Sequence, residues 1–101
     1  MKLDLSNQGL TEINPDKYPQ WNDISELNCS DNKLTNLPQL PPSLIELGCS
    51  GNQLTDLPQL PPALTKLYCD NNPLEHDNIW YMENHRAYVN PFIRIKAARK
   101  Y

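Results

Sequence analysis

The chain has 101 residues, room for one small domain or one short array but not for separate catalytic and regulatory domains. Leu, Ile, Val and Phe number 23, just above the roughly one-fifth share below which chains tend to stay disordered; ten prolines against three glycines exclude a long helical bundle, because an interior proline removes a helix hydrogen bond. The net charge of −3 hides a polarity: residues 1–85 hold all twelve acids and four lysines, net −8, whereas 86–101 hold five cations and no acid, so the acidic body argues against nucleic-acid binding and only the basic tail keeps that contact open.

In chain order, Met1-Lys2-Leu3-Asp4 places charges where a secretory signal would start its apolar stretch, and no apolar run approaches the roughly 18 residues of a membrane span. The chain therefore reads as soluble and cytoplasmic, and its three cysteines as free thiols. Residues 24–43, ISELNCSDNKLTNLPQLPPS, align without gaps to 44–63, LIELGCSGNQLTDLPQLPPA, with thirteen identities, and the unit continues from Leu64 to Leu74. The columns are Ile24, Leu44, Leu64; Leu27, Leu47, Leu67; Cys29, Cys49, Cys69; Asn32, Asn52, Asn72; and Leu34, Leu54, Leu74. An upstream copy places Leu3, Leu5, Leu10 and Ile13 opposite Leu27, Cys29, Leu34 and Leu37 at an offset of 24. Its four extra residues belong to a stretch with Pro15, Tyr18, Pro19 and Trp21, which predicts a wider outward loop with Trp21 over the open end.

A period of twenty with the pattern L-x-x-L-x-C-x-x-N-x-L resembles the leucine-rich repeat over residues 1–74. The L-P-x-L-P-P segments, Leu37–Pro42 and Leu57–Pro62, resemble the short subclass of secreted bacterial effectors, and similar cysteine-containing arrays occur in giant-virus proteins. The resemblance implies an α/β repeat solenoid: a right-handed coil with one short parallel sheet, non-enzymatic, recognising a protein partner. The expected division is an array over 1–76, with coils near 1–23, 24–43, 44–63 and 64–76, and a helical capping segment over 77–101.

Alternating apolar and polar residues predict strands near 2–5, 26–29, 46–49 and 66–69, with leucines inward. Pro-Gln-Leu-Pro-Pro favours polyproline II geometry for the returning outer wall. The asparagine column is expected to bond backbone groups of its own and the adjacent coil that would otherwise be buried unpaired. Gln8, not asparagine, stands at the matching place in the first coil.

Candidates for chemistry are few. Cys29, Cys49 and Cys69 would stack about 5 Å apart, but as replacements for inward leucine they read as small hydrophobes, and no metal or cofactor is expected. His76 and His85 are not at zinc-ligand spacing from a cysteine pair, and no nucleophile elbow or phosphate loop is present, which speaks against an enzyme. Beyond Asp77 the repeat stops: Asp77 suits a cap for a helix carrying Ile79, Trp80, Met82 and Tyr88, and Asn90-Pro91 for one carrying Phe92 and Ile95.

The outward strand positions form three rows: Lys2, Glu26, Glu46, Lys66; Asp4, Asn28, Gly48, Tyr68; and Ser6, Ser30, Ser50, Asp70. The core does not dictate them, and in a solenoid they line the concave face usually used for recognition. The expected partner-binding residues are Glu26, Asn28, Glu46, Gly48, Lys66, Tyr68 and Asp70, with Tyr68 as anchor beside the recess left by Gly48. A monomeric protein-binding module is the primary reading, with a structural component of a larger assembly such as a virion, and a nucleic-acid contact through the basic tail, as alternatives; packing against the cap is the structural alternative for Tyr68.

Overall fold

The computed structural model describes residues 1–73 and 88–89. The strands form where apolar and polar residues alternate, but each is short: β1 Lys2–Asp4, β2 Glu26–Asn28, β3 Glu46–Gly48 and β4 Lys66–Tyr68. They stack in sequence order as one parallel sheet, with Leu3 opposite Leu27, Leu27 opposite Leu47 and Leu47 opposite Leu67. The ladder runs on past the strands: Leu5 N–H donates to Asn28 O, Cys29 N–H to Gly48 O and Cys49 N–H to Tyr68 O. A two-residue strand, β5 at Tyr88–Val89, extends the sheet beside β4. Tyr88, expected on a helix, is thus extended backbone; Leu74, His76, His85 and the rest of the expected cap lie outside the described residues.

Each inward column closes on its neighbours. Ile24, Leu44 and Leu64, then Leu27, Leu47 and Leu67, then the three cysteines, are all buried in one continuous core, joined by Leu34, Leu54, Leu37, Leu57, Leu40 and Leu60. No single coil can bury these side chains alone, so each is stable only against the next. The proline-rich stretches carry no helix or strand and end in turns in which Leu44 N–H donates to Pro41 O and Leu64 N–H to Pro61 O.

The first coil uses its extra length as two 3-10 turns, Pro15–Lys17 and Trp21–Asp23. Proline suits the first of these because its missing N–H would be unpaired there anyway, and the Asn14 side chain accepts from Asp16 N–H. Trp21 enters the core: it is buried, its Nε1–H donates to Gln39 O of the second coil at 3.2 Å, and Tyr18 packs beside it with ring centroids 6.1 Å apart. The indole ties the first coil to the second.

Candidate binding face

Each of the strands β1 to β4 is followed by a sharp turn that returns the chain to the core. The turn residues Asn7, Asp31 and Asn71 have φ near +57°, and Gly51 has φ +68°. Asn, Asp and Gly are the types that enter this left-handed region at low cost. In the sequence this column is hidden, because its residues differ from coil to coil.

The turn aims the next residue inward. Asn52 Nδ2 donates to Cys29 O of the preceding coil at 3.1 Å and to Cys49 O at 3.0 Å, while its Oδ1 accepts Leu34 N–H at 3.1 Å. Asn72 repeats this with Cys49 O, Cys69 O and Leu54 N–H. Asn32 reaches Leu5 O and Cys29 O, and its Oδ1 accepts both Gln8 N–H and Leu10 N–H, so the first coil, lacking the asparagine, is served by the second. The column is a structural ladder whose amide groups are saturated by backbone.

The cysteines also belong to the core. All three are buried thiols outside any disulfide, and burial pushes the Cys29 thiol up to about 12. Cys49 is raised well above its usual value, first by burial and then by Cys69, Cys29 and Asp70. Cys29 and Cys49 are thus held as neutral thiols at physiological pH, which disfavours the thiolate needed for nucleophilic or metal chemistry. Among the described residues no group of three His, Cys, Asp or Glu stands where it can hold a metal ion.

The opposite side of the sheet is polar. Register places Lys2, Glu26, Glu46 and Lys66 in one row and Asp4, Asn28, Gly48 and Tyr68 in the next. Six of the expected residues, Glu26, Asn28, Glu46, Gly48, Lys66 and Tyr68, are thus brought onto three adjacent strands. Asp70 stands past the end of β4, where it accepts a hydrogen bond from the Ser50 hydroxyl. Glu46 and Lys66 approach to 3.9 Å as an exposed ion pair, worth at most about 1 kcal/mol. The Asp4 carboxyl lies below its ordinary value because the Ser6 hydroxyl and N–H both donate to it. A recess of about 180 Å³ opens in this face, lined by Glu26, Asn28, Glu46, Gly48 and Tyr68 together with Lys2, Leu27 and Ser30. Lys2 and Ser30 stand in the expected rows but not among the expected binding residues. A second hollow, about 720 Å³, lies beside the first coil's wide loop between Pro15, Tyr18, Trp21 and the second coil's Gln39, Leu40 and Pro42.

No family model and no curated protein matches the chain. Among solved structures it is similar to the leucine-rich-repeat domain of a Shigella effector, at 44% sequence identity and a TM-score of 0.68 over 74% of this chain. It spans 33% of that effector chain, about a third of its length. The twenty-residue period, the in-register parallel sheet and this likeness together make the chain a leucine-rich-repeat protein of the bacterial-effector-like kind.

Proposed function

We propose that the chain is a non-catalytic recognition module that binds a protein partner on the outward, concave strand face, through Glu26, Asn28, Glu46, Gly48, Lys66, Tyr68 and Asp70. One observation supports it above the others: register gathers six of these residues into a continuous polar patch that the core does not require, and the patch holds a recess. Tyr68 is the anchor, because its ring combines a large contact area with a polar tip. The module works as a monomer in the cytoplasm of the cell it meets, as an effector-like array would. Residues 1–76 form the binding array with a polyproline II outer wall, and 77–101 cap its last coil. Among the described residues no helix is long and apolar enough to cross a membrane.

The test is photocross-linking in host lysate from benzophenone placed at residue 46 on the strand face or at residue 59 on the outer wall. A protein adduct from position 46 and none from 59 supports the reading. With that partner in hand, Tyr68→Ala and Glu46→Lys should each weaken binding while shifting Tm by no more than about 4 °C. Unchanged affinity in both variants moves the site to the Trp21 hollow or the basic tail.

A further inference from the structure

The recess on the strand face is rich in acceptors, the Glu26 and Glu46 carboxylates, Asn28 Oδ1 and Ser30 Oγ, with the Lys2 ammonium also on its lining. Its floor is Gly48, where an added Cβ would lie 3.3 Å from Asn28 Oδ1 and 3.4 Å from Ser30 Oγ, so both oxygens face the space that glycine leaves. Asn28 Oδ1 is held in that direction by accepting Ser30 N–H at 3.1 Å, and an amide oxygen has a second lone pair to offer. Glu26 and Glu46 are directly opposite in the β2–β3 register and line the same recess, roughly 4.8 Å apart at the backbone. Like charges directly opposite one another on neighbouring strands repel, which favours a cation between the two carboxylates. The row supplies cations only at its ends, where Lys2 is opposite Glu26 and Lys66 opposite Glu46. Tyr68, opposite Gly48, forms one wall.

Size narrows the occupant. At about 180 Å³ the recess is smaller than the roughly 300–1,000 Å³ of pockets that take whole small molecules, and is suited to one side chain of a larger partner. Its chemistry narrows it further, since spread acceptors around a glycine floor call for a cationic, donor-only group. A guanidinium presents five donors in a plane and stacks on an aromatic face, whereas an ammonium concentrates three donors at a point.

We infer that this recess takes an arginine side chain of the protein partner, the guanidinium lying between the Glu26 and Glu46 carboxylates above Gly48 with Tyr68 at its edge. The inference rests on the reading that the partner docks on the strand face, and names the residue type that face selects.

The test is a ¹H–¹⁵N titration of the full chain with the blocked tripeptide acetyl-Gly-Arg-Gly-amide, with lysine and citrulline versions beside it. The expected result is a set of shifts centred on the Gly48, Ser30 and Asn28 amides, several-fold weaker binding of the lysine peptide, and no saturation by citrulline, which keeps the shape and lacks the charge. Glu26→Gln with Glu46→Gln should weaken the arginine peptide by about tenfold, and Gly48→Ala should block it by filling the floor. Thermal melts by circular dichroism confirm that each variant folds. Equal titration by citrulline, or shifts away from this face, overturns the proposal. So does a move of the Gly48 amide on Arg86→Gln, Arg94→Gln and Arg99→Gln without peptide, which makes the chain's own tail the occupant. If the peptide fails while the position-46 cross-link persists, the arginine is wrong and the face stands; loss of both removes the face as well.

Discussion

Asn52 shows how much one side chain settles. Its amide donates to carbonyls on two coils and accepts an N–H from the preceding one, all out of reach of solvent. Asn52→Ala leaves those groups unpaired and should cost about 1–3 kcal/mol in urea melts. Asn52→Asp should cost more at neutral pH, because a buried carboxylate would face the Cys29 and Cys49 carbonyl oxygens where a donor now stands. Burial and those oxygens raise that carboxyl's folded value above its unfolded one, so its neutral form is the tolerated one; stability should be regained as pH falls and lost as pH rises, and the gap to Asn52→Ala should narrow in acid. The cysteines work in the same sense at the alkaline end. Cys29 is raised from 9.0 to about 12, so the unfolded thiol ionises first and stability should decline as pH climbs through that window. Ellman's reagent at pH 8 should find no reactive thiol in the native protein and three in denaturant. The asparagine ladder was legible from the sequence because the type repeats in three coils. The left-handed turn before it was not read, since Asn7, Asp31, Gly51 and Asn71 share a backbone geometry rather than an identity.

At the scale of one coil, the alternation within a three-residue strand decides which face a side chain serves. Leu47 is fully buried and flanked in register by Leu27 and Leu67, so Leu47→Ala should cost about 2–5 kcal/mol. Its neighbour Glu46 lies on the polar face, in a weak exposed pair, and Glu46→Ala should stay within about 0.5 kcal/mol. Paired denaturant melts check this, and similar costs at both positions would mean that the faces are misassigned. The expected strands reached one residue too far at their C-terminal ends because Leu5, Cys29, Cys49 and Cys69 keep the inward alternation and, in the first three, the ladder hydrogen bond, while the backbone is already entering the turn. The wide loop of the first coil was legible as an insertion but its content was not: nothing in Pro15–Trp21 announces that the indole turns inward to Gln39, because that bond depends on where the second coil lies. The candidate binding face follows the same logic. Its rows could be read from the period alone, whereas the recess needs Asn28 and Ser30 to be seen leaning over Gly48.

Across the whole molecule, stability passes from coil to coil, and the ends are where that chain of contacts stops. The first end is served from behind: Asn32 lends its amide oxygen to Gln8 and Leu10, Ser25 Oγ donates to Met1 O, and Trp21 binds the next coil. The last described coil carries β4, whose outer edge pairs with Tyr88–Val89, so the segment beyond Asp77 returns at least once to the sheet. Such an edge, left open, is a template for pairing with another chain. Deleting residues 77–101 should therefore lower the protection of β4 amides in hydrogen exchange far more than that of β2 amides, since in a quasi-one-dimensional array the loss is felt first by the nearest coil. The shortened chain should also self-associate, read as a concentration-dependent mass by light scattering. A shortened chain that stays monomeric, with β4 protected as in the full protein, would show that the array closes its own end, and would release the aromatic and basic residues of 77–101 for a different task.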